Sequence, residues 1–449
     1  MTIVAASAAL GGFLFGFDTS TMNSAINGID ETLELSTGAV GFVVAIVLLG
    51  CATGAWFAGG ISTRFGRNRV MLIAGVLITV GSLAAALSSN VWLLGVFRFT
   101  TGLGIGAASA VVPAYISEIS PTSIRGRLGT FWQFAIVIGQ LLGLLAGYGL
   151  TRWAGDEADP LPWGGAAWRW MFVVVAILAL TYMVIAWRLP QSPPDLIRRG
   201  RDDEARALLE RIDAPAADER VSAIHETMAQ QRDAASLRDL RGPTFGLRTI
   251  VWVGIALAAF QQLVGINIVK TYSNTLWQSV GFSTSASFSI SIVTVCISIA
   301  STVVAILIMD RVGRRTLLLA GAAVLVVALG TLAVSFSQAT GSGDDVSLDG
   351  TPATIALIAI NVFSVGFGVT WGPIMWLMLS ELFDSDLRTT AVAVCTAVNW
   401  LTNWVVTRSF PTLADISLSF AYSLSTVFAI LAFVFVLKAL PETKDRALA

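Results

Sequence analysis

The sequence predicts an all-α polytopic membrane protein with twelve transmembrane helices, arranged as two six-helix bundles joined by a cytoplasmic helical linker. Three observations support this prediction. The 449 residues are 55% hydrophobic and only 13% charged, whereas a soluble domain carries about a quarter charged residues. Apolar runs of about 20 residues recur along the chain, and a long polar stretch lies near its middle.

Each apolar run is long enough to cross a hydrocarbon core of roughly 30 Å as a helix. Helices are predicted in preference to a β-barrel because the runs are continuously apolar and do not alternate. The twelve predicted spans are 3–26, 38–61, 70–89, 91–116, 129–151, 168–189, 246–273, 288–309, 315–337, 353–379, 389–409 and 416–439.

Basic residues collect in alternate loops, and this pattern predicts the orientation of the chain. The loops after the second, fourth, eighth and tenth spans are basic, as is the stretch after the sixth span. The intervening loops are acidic or neutral. Because basic loops stay on the cytoplasmic side, we expect these loops and both termini in the cytoplasm.

Internal repetition divides the chain into two halves. The polar stretch 191–245 has the periodicity of short amphipathic helices, and it separates predicted bundles at 1–190 and 246–449. Related basic motifs follow the second and eighth spans at 63–69 and 310–315. A Glu with an Arg seven residues later follows both the fourth and the tenth span. Parallel repeats of this kind place a substrate site near the bilayer midplane.

Asp18 is a carboxylate within the first apolar span. A carboxylate at bilayer depth costs roughly 2.5–3.5 kcal/mol on insertion scales, so its presence indicates a functional role. The alternatives are an acid at a helix end that faces water, and a purely structural salt bridge. Arg98, in the fourth span, is the candidate partner at matching depth.

Amide side chains also lie within the spans, where contact with lipid cannot explain them. A binding site for an uncharged polar ligand uses neutral donors and acceptors together with aromatic rings. An interhelical hydrogen bond is the alternative for any single amide, but seven amides on three helices favour a binding site. The amides are Gln133, Gln140, Gln261, Gln262, Asn267, Asn399 and Asn403, with Phe15, Trp376 and Trp400 as aromatic candidates and a predicted helix break at Gly372-Pro373.

Taken in order, these motifs resemble the sugar porter family of the major facilitator superfamily over essentially the whole chain. The matching pieces are Gly16-Phe17-Asp18, Arg64-Phe65-Gly66-Arg67, Arg98 with Gly102 and Gly104, Glu118 with Pro121 and Arg125-Gly126, Gln261-Gln262 with Gly265-Ile266-Asn267, Asp310 with Gly313-Arg314-Arg315, Gly372-Pro373 with Trp376, and Pro441-Glu442-Thr443. The resemblance implies the major facilitator fold and alternating access. It implies sugar contacts by Gln133, Gln140, Gln261, Gln262, Asn267, Gly372, Trp376, Asn399 and Trp400. In this family an acid at Asp18 accompanies proton coupling, and a neutral residue there accompanies passive transport.

The sequence departs from the family pattern at several positions. Thr63 replaces an acid before Arg64, Gln191 replaces a glutamate after the sixth span, and Asp384 replaces a proline after the tenth. These changes concern conformational balance more than substrate class. Lys270 stands where the family is usually apolar. It either snorkels to the outer interface or places a cation at the outer edge of the site, where it favours an anionic or strongly polar substrate.

Charged residues at the predicted cytoplasmic helix ends form a candidate gating network. We predict salt bridges between the two bundles that hold the outward-open state, and because single exposed pairs contribute little, the prediction concerns the whole network. Its members are Arg64, Arg67, Glu118, Arg125, Arg127, Asp310, Arg311, Arg314, Arg315, Glu381 and Arg388.

We therefore predict proton-coupled symport of a monosaccharide, a hexose such as D-glucose, by a monomer in a bacterial plasma (inner) membrane. Asp18 and Arg98 are the predicted coupling residues. The alternatives are a passive uniporter, a pentose (xylose) symporter, a sugar sensor and an anionic-metabolite transporter. No enzymatic function, cofactor, metal or nucleic-acid partner is predicted, because the single histidine, His225, lies in the polar linker. The glycine run at 102–106 indicates helix packing and not phosphate binding.

Overall fold

The computed structural model describes residues 2–120, 125–213, 217–230, 240–308, 312–339, 347–383 and 385–442, and the statements below concern those residues. Continuous apolar runs form long helices because a helix satisfies every backbone polar group within its own segment. In the first half these helices are α1 (Thr2–Leu33), α2 (Thr37–Phe65), α3 (Arg67–Ala86), α4 (Val91–Glu118), α5 (Arg125–Ala154) and α6 (Ala167–Arg188).

The polar stretch after α6 forms short helices, as predicted. They are α7 (Pro193–Arg198), α8 (Asp202–Asp213) and α9 (Ala217–Gln230). Leu196, Ile197 and Ala205 are buried between these helices, and Leu208 and Val221 pack against them. The linker therefore has a small apolar core of its own.

The second half contains further long helices and several shorter ones. They are α10 (Thr249–Leu263), α11 (Ile266–Thr271), α12 (Ser273–Gln278), α13 (Thr284–Ile308), α14 (Arg314–Phe336), α15 (Gly350–Val369), α16 (Trp371–Leu382), α17 (Ser385–Ile416) and α18 (Leu418–Ala439).

The predicted seventh span, 246–273, is present as the apolar stretch Thr249–Thr271, but it is interrupted and is not one continuous helix. Helix α10 ends before Gly265, whose φ of 83° is left-handed and suits a residue without a Cβ. A second interruption follows at Tyr272, with φ −106° and ψ 13°, so that α10, α11 and α12 form three segments. The seventh span therefore exposes backbone turns at the depth where amides cluster.

The tenth span is interrupted as well. Thr370, with φ −124° and ψ −84°, separates α15 from α16. Pro373 then lies in the first turn of α16, where its missing N–H leaves no helical hydrogen bond unmade. The break predicted near Gly372-Pro373 is confirmed.

Ten stretches of the described residues are long and apolar enough to cross a membrane by length and composition. Two of these stretches, Thr249–Thr271 and Gly350–Leu379, run across the helix breaks. The predicted first and eleventh spans lie within α1 and α17, whose polar side chains, such as Asp18 and Asn399, reduce their hydropathy. Together the described helices account for the twelve predicted spans.

By packing, the chain separates into two compact units. One comprises Met1–Asp18, Ile46–Gly139 and Phe172–Ala234, and the other comprises Thr19–Ala45, Gln140–Met171 and Ala235–Ala449. The boundaries pass through α1, α2, α5 and α6. The predicted division at 1–190, 191–245 and 246–449 follows chain order instead, and it stays a prediction.

Glycines of α4 allow close helix packing in the first unit. A Cβ at Gly102 would lie 3.0 Å from the Cα of Gly50 in α2. At Gly104 it would lie 2.6 Å from the carbonyl oxygen of Ala74 in α3. The backbones approach closely through small residues, as is typical of membrane helix pairs. The packing role predicted for this glycine run is confirmed.

Candidate functional site

The predicted pair of Asp18 and Arg98 is formed. Arg98 Nη1 donates to Asp18 Oδ1 at 2.6 Å, and the two residues are only 1% and 2% exposed, respectively. The guanidinium of Arg98 lies 5.4 Å from the ring centroid of Phe172 in α6, a cation–π distance. Arg98 Nε has no hydrogen-bond partner in the described part of the chain. The alternative in which Asp18 faces water at a helix end is thereby excluded.

Helix α5 lies directly against α1 beside this pair. A Cβ at Gly139 would meet the carbonyl oxygen of Phe13 and would lie 3.0 Å from the backbone nitrogen of Phe17. Gly139 precedes Gln140 in the chain, and Phe17 precedes Asp18. The glycine contact therefore holds the helix of the ion pair next to the helix that carries both predicted sugar-binding glutamines of the first half.

Four predicted amides meet in one hydrogen-bonded group, here called the amide cluster: Gln261, Gln262, Asn267 and Asn399. Asn399 Nδ2 donates to Gln261 Oε1 at 2.7 Å, and Gln262 Nε2 donates to Asn399 Oδ1 at 3.0 Å. Asn267 Nδ2 donates to Gln262 Oε1 at 2.7 Å. The cluster joins α10, α11 and α17 through neutral groups that both donate and accept.

The helix breaks position this cluster. Gly265 turns the chain so that Asn267, at the start of α11, reaches back to Gln262 near the end of α10. At the other break, Gln261 Nε2 donates to the carbonyl oxygens of Trp371 and Gly372 at 3.3 and 3.4 Å. Carbonyl oxygens in the first turn of α16, directly after the second break, thus take part in the site.

Other predicted contacts lie outside the cluster. Asn403 is buried, and its Oδ1 accepts from Thr407 Oγ1 one turn further along α17 at 3.1 Å. Trp400 is 7% exposed and Trp376 is 40% exposed. Phe15 and Gln133 are half-buried. The sugar-binding roles of these residues stay predictions.

For Lys270 the sequence left two alternatives, a side chain at the lipid interface and a cation at the edge of the site. Its Nζ donates to Oε1 of Gln140 at 3.0 Å, and Gln140 is 5% exposed. The ammonium is thus directed at a predicted sugar-binding amide and not at the lipid headgroups, as the snorkelling alternative requires. Lys270 lies one helical turn after Asn267, on the same face of α11.

Further amide contacts were not predicted. Asn23 Oδ1 accepts from the backbone nitrogen of Asn274 in α12 at 3.0 Å. Asn27, one turn later in α1, donates to Gln278 Oε1 and accepts from Thr275 Oγ1, both at 2.9 Å. The polar residues 23 and 27, four apart in an apolar helix, were the available sequence signal. These contacts attach the C-terminal part of α1 to α12.

The described members of the predicted gating network form equivalent pairs. Arg67 Nη2 lies 3.1 Å from Glu118 Oε1, and Arg314 Nη2 lies 3.2 Å from Glu381 Oε1. Each pair joins two helices of the same half. The first pair connects the start of α3 to the end of α4, and the second connects the start of α14 to the last turn of α16. These pairs differ from the predicted inter-bundle arrangement, and they support the internal repeat.

The remaining members of the predicted network divide into two groups. Arg64 is exposed, with its guanidinium 5.3 Å from the Phe65 ring centroid, and Arg315 Nη2 donates to the carbonyl oxygen of Leu437 at 2.6 Å. The others lie outside the described residues: Asp310 and Arg311 entirely, and Arg125, Arg127 and Arg388 in their side chains.

Two further carboxylates sit at helix starts in a repeated arrangement. The backbone nitrogen of Arg67, at the start of α3, donates to Asp195 Oδ2 at 2.6 Å. The backbone nitrogens of Arg314 and Arg315, at the start of α14, donate to Glu442 at 2.9 and 3.1 Å. A carboxylate at a helix N-terminus satisfies free N–H groups and complements the helix dipole.

Comparison with known proteins agrees with this architecture. The model of a family described as sugar (and other) transporter matches residues 4–449. A glucose transport protein of Synechocystis sp. is 39% identical over 448 residues, covering 99% of this chain and 96% of that protein. The D-xylose-proton symporter of Escherichia coli K12 is 33% identical, covering 98% of this chain and 93% of that protein.

Solved structures give the same result. A partially occluded, inward-open structure of the xylose transporter XylE from E. coli superposes with a TM-score of 0.85 at 30% identity, covering 99% of both chains. The fold and the described helices define a multi-pass membrane transporter, and not an enzyme. The chain belongs to the sugar porter family of the major facilitator superfamily.

Proposed function

We propose that this protein is a proton-coupled monosaccharide symporter, with a hexose, D-glucose first, as its substrate. A 39% identical relative is a glucose transport protein, and other relatives are proton symporters for D-xylose and arabinose. A structure of the E. coli proton:xylose symporter holds 6-bromo-6-deoxy-D-glucose, a hexose derivative. These relatives support both the substrate class and the coupling ion.

The observation that carries the proposal is the ion pair of Asp18 and Arg98, 2.6 Å apart and almost fully buried. Protonation of Asp18 removes the charge that pairs with Arg98, and a buried charge without its partner is strongly unfavourable. Proton binding therefore changes the packing preference of α1 against α4. Since α1 also lies against α5 through Gly139, this change reaches a helix with predicted sugar contacts.

Sugar binding follows from the amide cluster. Its amides hydrogen-bond to one another and to the carbonyl oxygens of Trp371 and Gly372. A sugar hydroxyl both donates and accepts, so it can replace an amide–amide hydrogen bond without leaving either group unsatisfied. A neutral cluster of this kind suits an uncharged polyol.

Orientation and gating complete the proposal. The basic loops support a cytoplasmic position for both termini, and in this orientation the contacts of Asn23 and Asn27 with α12 lie toward the outer side. The cytoplasmic pairs Arg67–Glu118 and Arg314–Glu381 stabilise the inner ends of helices within each half.

One coupled proton contributes about 2.3 kcal/mol per 100 mV of membrane potential, which corresponds to roughly fiftyfold accumulation of sugar. We propose that the protein works as a monomer in a bacterial plasma membrane.

Reconstitution into proteoliposomes tests this function. Addition of D-glucose outside should alkalinise the external medium, and an inside-negative potential should drive uphill uptake. Asp18→Asn should retain counterflow exchange and lose uphill uptake, because it binds sugar but has no proton to exchange. Glu31→Gln, at an exposed acid further along α1, is the matched control and should behave as wild type.

The alternatives give different results in the same assay. Uphill uptake by Asp18→Asn contradicts the coupling role, and sugar flux without proton movement in wild type identifies a passive uniporter. Binding without flux identifies a sensor. Competition between D-glucose and D-xylose in counterflow separates a hexose carrier from a pentose carrier.

A further inference from the structure

Lys270 lies on a short helical segment held between two backbone breaks. Helix α11 covers Ile266–Thr271, with Gly265 in the left-handed conformation before it and Tyr272 out of helical geometry after it. Asn267, three residues before Lys270, donates to the amide cluster. Residues three apart on a helix share a face, so the face of α11 that carries Asn267 also carries the ammonium group.

The ammonium is bound to a neutral partner. Its Nζ lies 3.0 Å from Oε1 of Gln140, and no ion pair of Lys270 occurs among the described residues. By contrast, the buried cation Arg98 in the first unit is neutralised by Asp18. A partly buried cation with only an amide partner lacks most of the stabilisation that a counter-charge supplies.

The same hydrogen bond sets the orientation of Gln140. Because Oε1 accepts from Lys270, the amide nitrogen of Gln140 lies on the far side of the amide group from the ammonium. An ammonium group has three N–H donors, so Lys270 Nζ can bind a carboxylate oxygen while it keeps its hydrogen bond to Gln140. A hydrogen bond from a charged donor to a carboxylate is shorter and about twice as strong as one between neutral groups.

We propose that Lys270 is a specificity-determining residue of the sugar site, and that it enables the site to bind monosaccharides bearing a carboxylate, the hexuronates, in addition to neutral hexoses. This inference rests on the proposed function, because it assumes that Gln140 contacts the sugar. A single cation balances the single charge of a carboxylate. The amide cluster binds the hydroxyls that a hexuronate and a hexose share, so Lys270 acts on the difference between the two substrates.

Counterflow exchange of labelled D-glucose in proteoliposomes, with unlabelled D-glucuronate or D-glucose as competitor, tests this inference. D-glucuronate should compete with labelled D-glucose in wild type. Lys270→Met should weaken competition by D-glucuronate about tenfold or more, the effect of losing one charge-assisted hydrogen bond. Competition by D-glucose should change less than about threefold. Lys270→Arg should retain competition by D-glucuronate, since it keeps the charge.

Lys438→Met is the matched control, because Lys438 is exposed in the last turn of α18. The inference is overturned if D-glucuronate fails to compete in wild type, or if Lys270→Met weakens both competitors equally. Failure of the proposed function has a separate signature, since D-glucose exchange would then be lacking in wild type and in every variant.

Discussion

Glu157 provides the sharpest test of the energetics, because it is a buried acid outside the membrane spans. It lies in the connection between α5 and α6 and is 2% exposed. A Cβ at Gly28 of α1 would lie 2.7 Å from its Cβ, so α1 covers it closely. Burial, then a hydrogen bond with Asp156 and the charge of Asp156, raise the pKa of Glu157 from 4.5 to about 8.

The sign of the pH dependence follows from proton binding. Between pH 4.5 and about 8 the folded protein holds a proton on Glu157 that the unfolded chain releases. The contribution of protonated Glu157 to the free energy of unfolding is therefore complete below pH 4.5 and is lost as the pH rises toward 8. At 1.36 kcal/mol per pH unit, the loss from pH 5 to pH 7.5 is about 3 kcal/mol.

Glu157→Gln should remove this dependence, because glutamine keeps the size of the side chain and does not titrate. In detergent, the thermal unfolding midpoint of wild type should fall about 3 °C more than that of Glu157→Gln between pH 5 and pH 7.5, using average unfolding entropies per residue. Asp156→Asn should reduce the wild-type slope only in part. It removes a neighbouring charge and a hydrogen bond but leaves Glu157 buried.

Asp159→Asn is the control, since Asp159 is an exposed acid of the same connection. It should keep the full wild-type slope. Equal slopes for wild type and Glu157→Gln would refute the argument that burial holds a proton on this residue.

Two further substitutions test the site and the cytoplasmic ends. Asn399→Ala removes the donor to Gln261 Oε1 at 2.7 Å and should raise the KM for sugar about tenfold in the uptake assay. Asp195→Asn weakens the carboxylate cap on the backbone nitrogen of Arg67 and should destabilise the protein by about 1 kcal/mol, measured as a lower thermal midpoint with unchanged KM.

The span pattern was predictable because each apolar run is long and contains few charged residues. The interruption of the seventh span was not. Glycines within membrane helices serve both as packing surfaces and as turns, and Gly102 and Gly265 look alike in sequence. The difference is set by tertiary contacts, since Asn267 reaches Gln262 only after the turn at Gly265.

The site was predictable to the extent that its residues are rare in lipid. Asp18 and Arg98 are such residues at matching depth, and they pair. The hydrogen-bond partner of each amide side chain was harder to predict. Asn403 shares a helical face with Asn399, four residues earlier, yet it bonds to Thr407 on its own helix. Local hydrogen bonds of this kind compete with interhelical ones, and the spacing of amides does not decide between them.

The departure at Gln191 shows how structure can compensate for a changed motif. By position, the first half lacks the acid that the second half keeps as Glu442 in Pro441-Glu442. By contact, Asp195 occupies the equivalent place, because it accepts from the start of α3 as Glu442 accepts from the start of α14. The physical requirement is a carboxylate at the helix N-terminus. Four residues of displacement are absorbed by α7, whose first turn carries Asp195. The two halves are therefore more alike in their electrostatics than in their motifs, and Gln191 alone gives no reason to expect a less stable start of α3.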